Sequence, residues 1–207
     1  MAKASKKKDA PAAEPGKKVV PRLQTFYEQQ ALPELAKKLG RTNHLSLPRI
    51  VKIVVNMGVG SAITDKKHME DALASMTLIT GQKPSVRKAR KAISNFRLRE
   101  GQEIGCKVTM RGLRMYEFFD RLVSLALPRV RDFRGLNPKG FDGHGNYNLG
   151  LSEQLVFPEL NPDKFTRPQG LNVTICVSGG SDAESLELLR LMGMPFKTEE
   201  QMKTGAA

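Results

Sequence analysis

Apolar positions along the chain change period several times, and each change marks an element. From Arg22 to Leu39, the residues Leu23, Phe26, Tyr27, Gln30, Ala31, Leu35 and Leu39 fall mostly at steps of three and four, the spacing of one helical face. The pattern predicts a helix that stops at Gly40, with an interruption allowed at Pro33. Arg49 to Met57 (RIVKIVVNM) is rich in β-branched residues and predicts a strand. Its alternating sets are Val51, Ile53, Val55 and Met57 against Ile50, Lys52, Val54 and Asn56, so the second face is partly polar. Lys66 to Thr80 follows the capping residues Thr64 and Asp65, spaces Met69, Ala72, Leu73, Met76 and Ile79 as a helix, and ends at Gly81.

The segment from Gly81 to Lys91 (GQKPSVRKARK) has Pro84 to block helix and crowds Lys83, Arg87, Lys88, Arg90 and Lys91 together. Self-repulsion of these cations predicts an exposed, mobile arm. Ala92 to Arg99 and Glu103 to Arg111 read as two strands of a hairpin turned at Glu100-Gly101-Gln102. The second alternates cleanly, with Ile104, Cys106, Val108 and Met110 on one face and Glu103, Lys107, Thr109 and Arg111 on the other. Leu113 to Ala126 returns to helical spacing and stops before Pro128. Five glycines between Pro128 and Leu151 predict a long irregular loop. Leu171 to Ser178 alternates as a strand, and Ser181 caps a predicted helix from Asp182 to Met192.

Without an internal repeat, these elements interleave in a single α+β domain with a mostly antiparallel sheet and helices on one face. The domain spans residues 22–197, flanked by a disordered basic extension over 1–21 and a frayed polar tail over 198–207. Three strands then carry polar residues opposite their apolar stripes: Asn56 with Lys52, Lys107 with Thr109 and Arg111, and Asn172 with Thr174. The expected result is an open, basic, hydrogen-bonding sheet face.

Charge sharpens this picture. The 34 Lys and Arg against 21 Asp and Glu leave +13, which points to a polyanionic partner. The excess is local: Lys83 to Lys139 carries net +10 and residues 1–18 net +4, while the remainder is close to neutral. The basic N-terminus has no apolar stretch behind it, and no 18-residue apolar run occurs anywhere. A soluble, cytoplasmic protein without a membrane partner is therefore expected. Cys106 and Cys176 lie seventy residues apart without metal-ligand spacing. They read as two small buried residues in a reducing compartment, with a structural disulfide as the alternative.

Catalytic constellations are missing from the sequence. No nucleophile elbow, phosphate-binding loop or metalloprotease helix occurs, and His44, His68 and His144 stand in separate contexts. Neither an enzyme nor a metal or cofactor site is expected. Met57-Gly58-Val59-Gly60 lacks the third glycine of a dinucleotide loop. The basic arm is either a solvated surface or a polyanion contact. Asn, Thr and Arg at alternating sheet positions are stronger signals, because they can address phosphates, 2′-hydroxyls and bases of a shaped RNA. Phe96 is either a core residue or a contact beside that face. In Pro128 to Gly135 (PRVRDFRG), three arginines share one acid. They form either a salt-bridge network with Asp132 or a surface for a partner.

Seven strings now make a family recognisable: IVVNMGVG from Ile53, ITGQKP from Ile79, ISNF from Ile93, IGCKVTMRG from Ile104, PRVRDFRGL from Pro128, FDGHGNYNLGL from Phe141 and EQLVFPE from Glu153. In this order and spacing they resemble bacterial large-subunit ribosomal protein five, with the likeness running from about Arg22 to Lys197. The resemblance implies a structural constituent of the large ribosomal subunit, cytoplasmic and located in the ribosome. Its implied partners are 5S rRNA, large-subunit rRNA, P-site tRNA, a small-subunit head protein across an intersubunit bridge, and neighbouring proteins of the central protuberance. Carried over by motif, Asn56, Gln82, Phe96, Thr109 and Arg111 would contact 5S rRNA, and Lys107 joins them from the polar face. Lys83, Arg87, Lys88, Arg90 and Lys91 would contact tRNA. Two departures stand out: His144 replaces a common Arg, and Arg87 replaces a common Thr. Two other readings are an RNA-modifying enzyme and a general nucleic-acid binder acting through tail and arm alone.

Overall fold

The computed structural model describes residues 20–165 and 167–197, so the predictions for residues 1–19 and 198–207 lie outside the described residues. Arg49–Gly58 (β1), Ser85–Lys88 (β2), Glu103–Met110 (β3), Tyr147–Leu151 (β4) and Leu171–Ser178 (β5) form one sheet in the order β2-β3-β1-β5-β4. Every neighbouring pair is antiparallel. The central β1 draws Ile53, Val55 and Met57 into the core, flanked by Val108 and Met110 of β3 and Val173 and Ile175 of β5. These residues are β-branched or unbranched apolar side chains at period two, the pattern of a half-covered sheet.

Helices cover the apolar face. Lys67–Thr80 (α3) contributes Met69, Ala72, Met76 and Ile79, and Asp182–Leu191 (α5) contributes Leu188 and Leu189. Ser181 caps α5 through its hydroxyl, as its sequence position predicts. The N-terminal helix runs as Arg22–Phe26 (α1), a π-helical turn Tyr27–Ala31 and Leu32–Leu39 (α2), with Gly40 left-handed at φ 62°. A π-helical turn recurs where Gly112–Arg121 (α4) passes through Leu122–Ala126, here into a short 3-10 turn Leu127–Arg129. Each wide turn ends just short of a proline, Pro33 or Pro128, which has no N–H for the carbonyl four residues back. At Pro33 the widened turn carries the helix past the proline to Leu39, whereas beyond Pro128 the helical run ends at Arg129.

Four sequence expectations are corrected. Ala92 to Arg99 is not a strand: it holds a 3-10 turn, Ser94–Phe96, closed by a single Ile93–Leu98 bridge, and Arg97 adopts φ 52°. The partner of β3 is β2, inside the segment expected to be a mobile arm. The predicted irregular loop before Leu151 contains β4, which pairs with β5. Finally, a bulge between Ile50 and Lys52 shifts the face of β1, so Ile50 is buried and Val51 points to solvent.

Candidate nucleic-acid interface

Among the described residues, no helix packs over the second sheet face. In register across all five strands lie Ser85, Lys107, Asn56, Asn172 and Gly150. A second row places Thr109, Val54, Thr174 and Asn148 side by side. Asn56, Asn172, Asn148 and Ser85 are exposed, and Lys107, Thr109 and Thr174 are half-buried. Strand pleating puts these residues there because their neighbours in sequence are the core residues. Within the second row, the Thr174 hydroxyl donates to Asn148 Oδ1 at 2.8 Å. Arg111 follows β3 directly and is exposed.

The ion pairs among the described residues join Arg22 to Asp120, Lys38 and Arg190 to Glu187, Arg41 to Glu184, Lys88 to Glu103 and Arg121 to Glu159. Lys52, Lys107 and Arg111 take part in none of them. Their charge therefore faces solvent, where a polyanion would meet it. The rows contain no aromatic residue, so this face offers hydrogen bonds and cations to a folded RNA rather than a stacking platform.

Gln82 stands at the corner of this face. Its Nε2 donates to the main-chain oxygen of Thr109 at 3.0 Å. Thr109 lies two residues past the last residue of β3 that β2 reaches, Lys107, so Gln82 extends the edge of the ladder. Five of the six residues predicted to contact 5S rRNA (Asn56, Gln82, Lys107, Thr109 and Arg111) thus sit on or beside one surface. Phe96 does not. It is 69% exposed at the far end of the arm, beyond the Ile93–Leu98 bridge, which removes its reading as a core residue.

The arm itself is a two-stranded ribbon at its root. Beyond β2, the Ala89 N–H donates to the Gln102 carbonyl at 2.8 Å, and the Gly101 N–H returns a bond to the Ala89 carbonyl at 3.0 Å. Lys83, Arg87, Lys88, Arg90 and Lys91 are all exposed along it, and only Lys88 has an acidic partner, Glu103 at 3.8 Å. Ile93 and Phe96 are exposed at the tip. An apolar tip on a basic ribbon is suited to inserting against a nucleic-acid surface while the cations hold phosphates.

Sequence reasoning missed Asn148 and Ser85, because their strands went unrecognised. The alternation of Tyr147, Leu149 and Leu151 against Asn148 and Gly150 carried the signal. The two cysteines also divide. Cys106 is buried among core residues, and burial pushes its thiol up to about 11, whereas Cys176 is half-buried on the open face opposite Lys52. Both are free, so the disulfide alternative does not hold. None of the Arg129, Arg131 and Arg134 side chains pairs with Asp132. His144 is exposed in a turn whose backbone is held from two sides: Asp142 accepts from the His144 N–H at 2.9 Å, and Asp182 accepts from Gly145 at 2.6 Å.

Among the described residues, no group of three or more His, Cys, Asp or Glu side chains is placed to hold a metal ion, and no helix is long and apolar enough to cross a membrane. Residues 43–99 match the family described as Ribosomal protein L5, and residues 103–196 match the model for that ribosomal family's C-terminus. The large ribosomal subunit protein uL5 of Rhodopirellula baltica is 58% identical over 189 residues, which cover 91% of this chain and 96% of that protein. The protein of the same name from Anaeromyxobacter sp. strain K is 55% identical over 176 residues, 85% of this chain and 98% of its own. That of Psychrobacter arcticus is 53% identical over 176 residues, 85% and 99% of the two chains.

Proposed function

Because the chain belongs to the ribosomal protein L5 family, and so is a structural, non-enzymatic constituent of the large ribosomal subunit, we propose that its open sheet face binds 5S rRNA and its basic arm contacts P-site tRNA. The observation that carries the first part is the row Ser85, Lys107, Asn56, Asn172 and Gly150, which crosses an uncovered sheet without an aromatic or acidic residue. Asn56, Lys107, Thr109 and Arg111 supply the donors and charge. Gln82 holds the edge of this surface in place. By attaching 5S rRNA to the large-subunit rRNA, the protein helps anchor it in the central protuberance beside neighbouring proteins.

The arm supports the second part. Its exposed cations project from the sheet on a ribbon, and Phe96 moves with them as a contact at the tip rather than on the 5S-facing sheet. The unpaired Arg129, Arg131 and Arg134 form a separate basic surface available to rRNA or to a small-subunit head protein across an intersubunit bridge. A mobility-shift titration of the full chain against 5S rRNA and a length-matched control RNA tests the first part. Asn56→Ala and Arg111→Ala should each weaken 5S binding by roughly 1–3 kcal/mol, the scale of one good polar contact, with unchanged melting temperature. Equal affinity for both RNAs, falling steeply with salt, would favour general binding through tail and arm.

A further inference from the structure

Most glycines in this fold have an evident structural reason. They either adopt a left-handed φ, as Gly81 does at 68°, or leave no room for a side chain, as at Gly105, where a Cβ would lie 2.8 Å from the Met57 carbonyl oxygen. Among the described glycines, Gly58, Gly60 and Gly150 alone combine an ordinary φ with space for a methyl group. Two of the three lie on the open sheet face. Gly58 follows Asn56 by two residues on β1, and Gly150 pairs with Asn172, itself the partner of Asn56.

At Gly58 a Cβ would meet nothing within 4 Å, and at Gly150 it would make one ordinary contact, 3.5 Å from Asn172 Oδ1. Both residues are exposed and sit in regular ladder pairs. The Gly58 carbonyl even accepts a side-chain hydrogen bond from Gln169 at 2.7 Å, so its backbone is held rather than free. Glycine inside a strand costs stability relative to alanine. The fold gains nothing in return.

We infer that Gly58 and Gly150 let a ribose or phosphate group of the bound RNA rest directly on the peptide backbone of the sheet, at two points flanking the Asn56–Asn172 pair. By strand geometry these points lie about 7 Å along β1 from Asn56 and about 10 Å across from it. A methyl group at either point would lift the RNA away from the short Asn56 and Asn172 side chains, which reach only a ligand in close contact. The inference rests on the reading of this face as the 5S rRNA surface and adds which residues set the approach distance.

The test compares Gly58→Ala, Gly150→Ala and the double variant with Asn56→Ala and Lys107→Ala, by thermal melting and by titration with 5S rRNA. The glycine variants should melt at or above the wild-type temperature, and the double variant should bind at least tenfold more weakly. Binding within twofold of wild type by the glycine variants, while Asn56→Ala or Lys107→Ala weakens it, would overturn the inference and leave the interface standing. Wild-type affinity in all the variants would remove the interface and the inference together. A melting temperature lowered by several degrees in the glycine variants would also overturn it, since the glycines would then serve the fold.

Discussion

The Gln82 side-chain amide donates to the Thr109 carbonyl at 3.0 Å, closing the edge of β3 where β2 no longer reaches it. Replacing Gln82 by Ala leaves that carbonyl to solvent and should lower stability by about 0.5–1.5 kcal/mol, the net worth of one such bond. Gln82→Glu should cost more, because a carboxylate acceptor would face a carbonyl acceptor. Thermal melting and 5S rRNA titration of both variants check this, with binding expected to follow the loss of edge order.

Neutralising Arg87, Lys88 and Arg90 together should spare 5S rRNA binding and weaken retention of P-site tRNA on ribosomes. The arm projects from the sheet edge, and its single ion pair, Lys88 with Glu103 at 3.8 Å, lies between side chains 62% and 50% exposed. Such a pair contributes little stability, so melting should be unchanged. Measured tRNA dissociation rates equal to wild type would count against the arm's role.

The two thiols should differ sharply in reactivity. Cys176 sits on the open face across from Lys52, whereas Cys106 is buried, with its thiol pushed up to about 11 by desolvation. Brief alkylation of the folded protein, read by mass spectrometry, should label Cys176 and leave Cys106 intact. Saturating 5S rRNA should then slow labelling of Cys176. Equal labelling with and without RNA would argue against RNA lying over β5.

Glu187 of α5 receives hydrogen bonds from Lys38 of α2 at 2.8 Å and from Arg190 at 3.1 Å. The Lys38 bond above all holds its carboxyl below the ordinary value of 4.5. A carboxyl depressed on folding stabilises the fold fully above its unfolded value, and that stabilisation is lost as pH falls through the folded one. The effect is modest at this exposure. Glu187→Gln should therefore lower stability at neutral pH and flatten the acid side of a melting-temperature profile.

Legibility of the fold in the sequence followed the source of each element's order. β3, β5, α3 and α5 have their core contacts written as clean periodicities, and all four lie where the spacing predicts. The edge strand β2 draws its order mostly from ladder bonds that any backbone can make, so Pro84 and the cations hid it, whereas β4 buries Tyr147 and Leu151 and its short alternation was masked by the glycines around it. Ala92 to Arg99 misled in the opposite direction: Ile93, Phe96 and Leu98 mimic a strand, but the chain reverses at Arg97. The polar face was visible as residues opposite apolar stripes. Its rows were not, because register is set by pairing between strands and by the bulge in β1.

The edges of the sheet bear on the life of the chain before it joins a ribosome. An exposed strand edge is a template on which a second copy can add itself. Here β2 offers only four residues, with Arg87 and Lys88 among them. The outer side of β4 is already occupied, since the Asn148 N–H donates to the Gly140 carbonyl at 2.9 Å and Phe141 bridges to Tyr147. A newly made copy awaiting its RNA is thus poorly equipped to zip onto its own kind, and a pool of unassembled protein should stay monomeric.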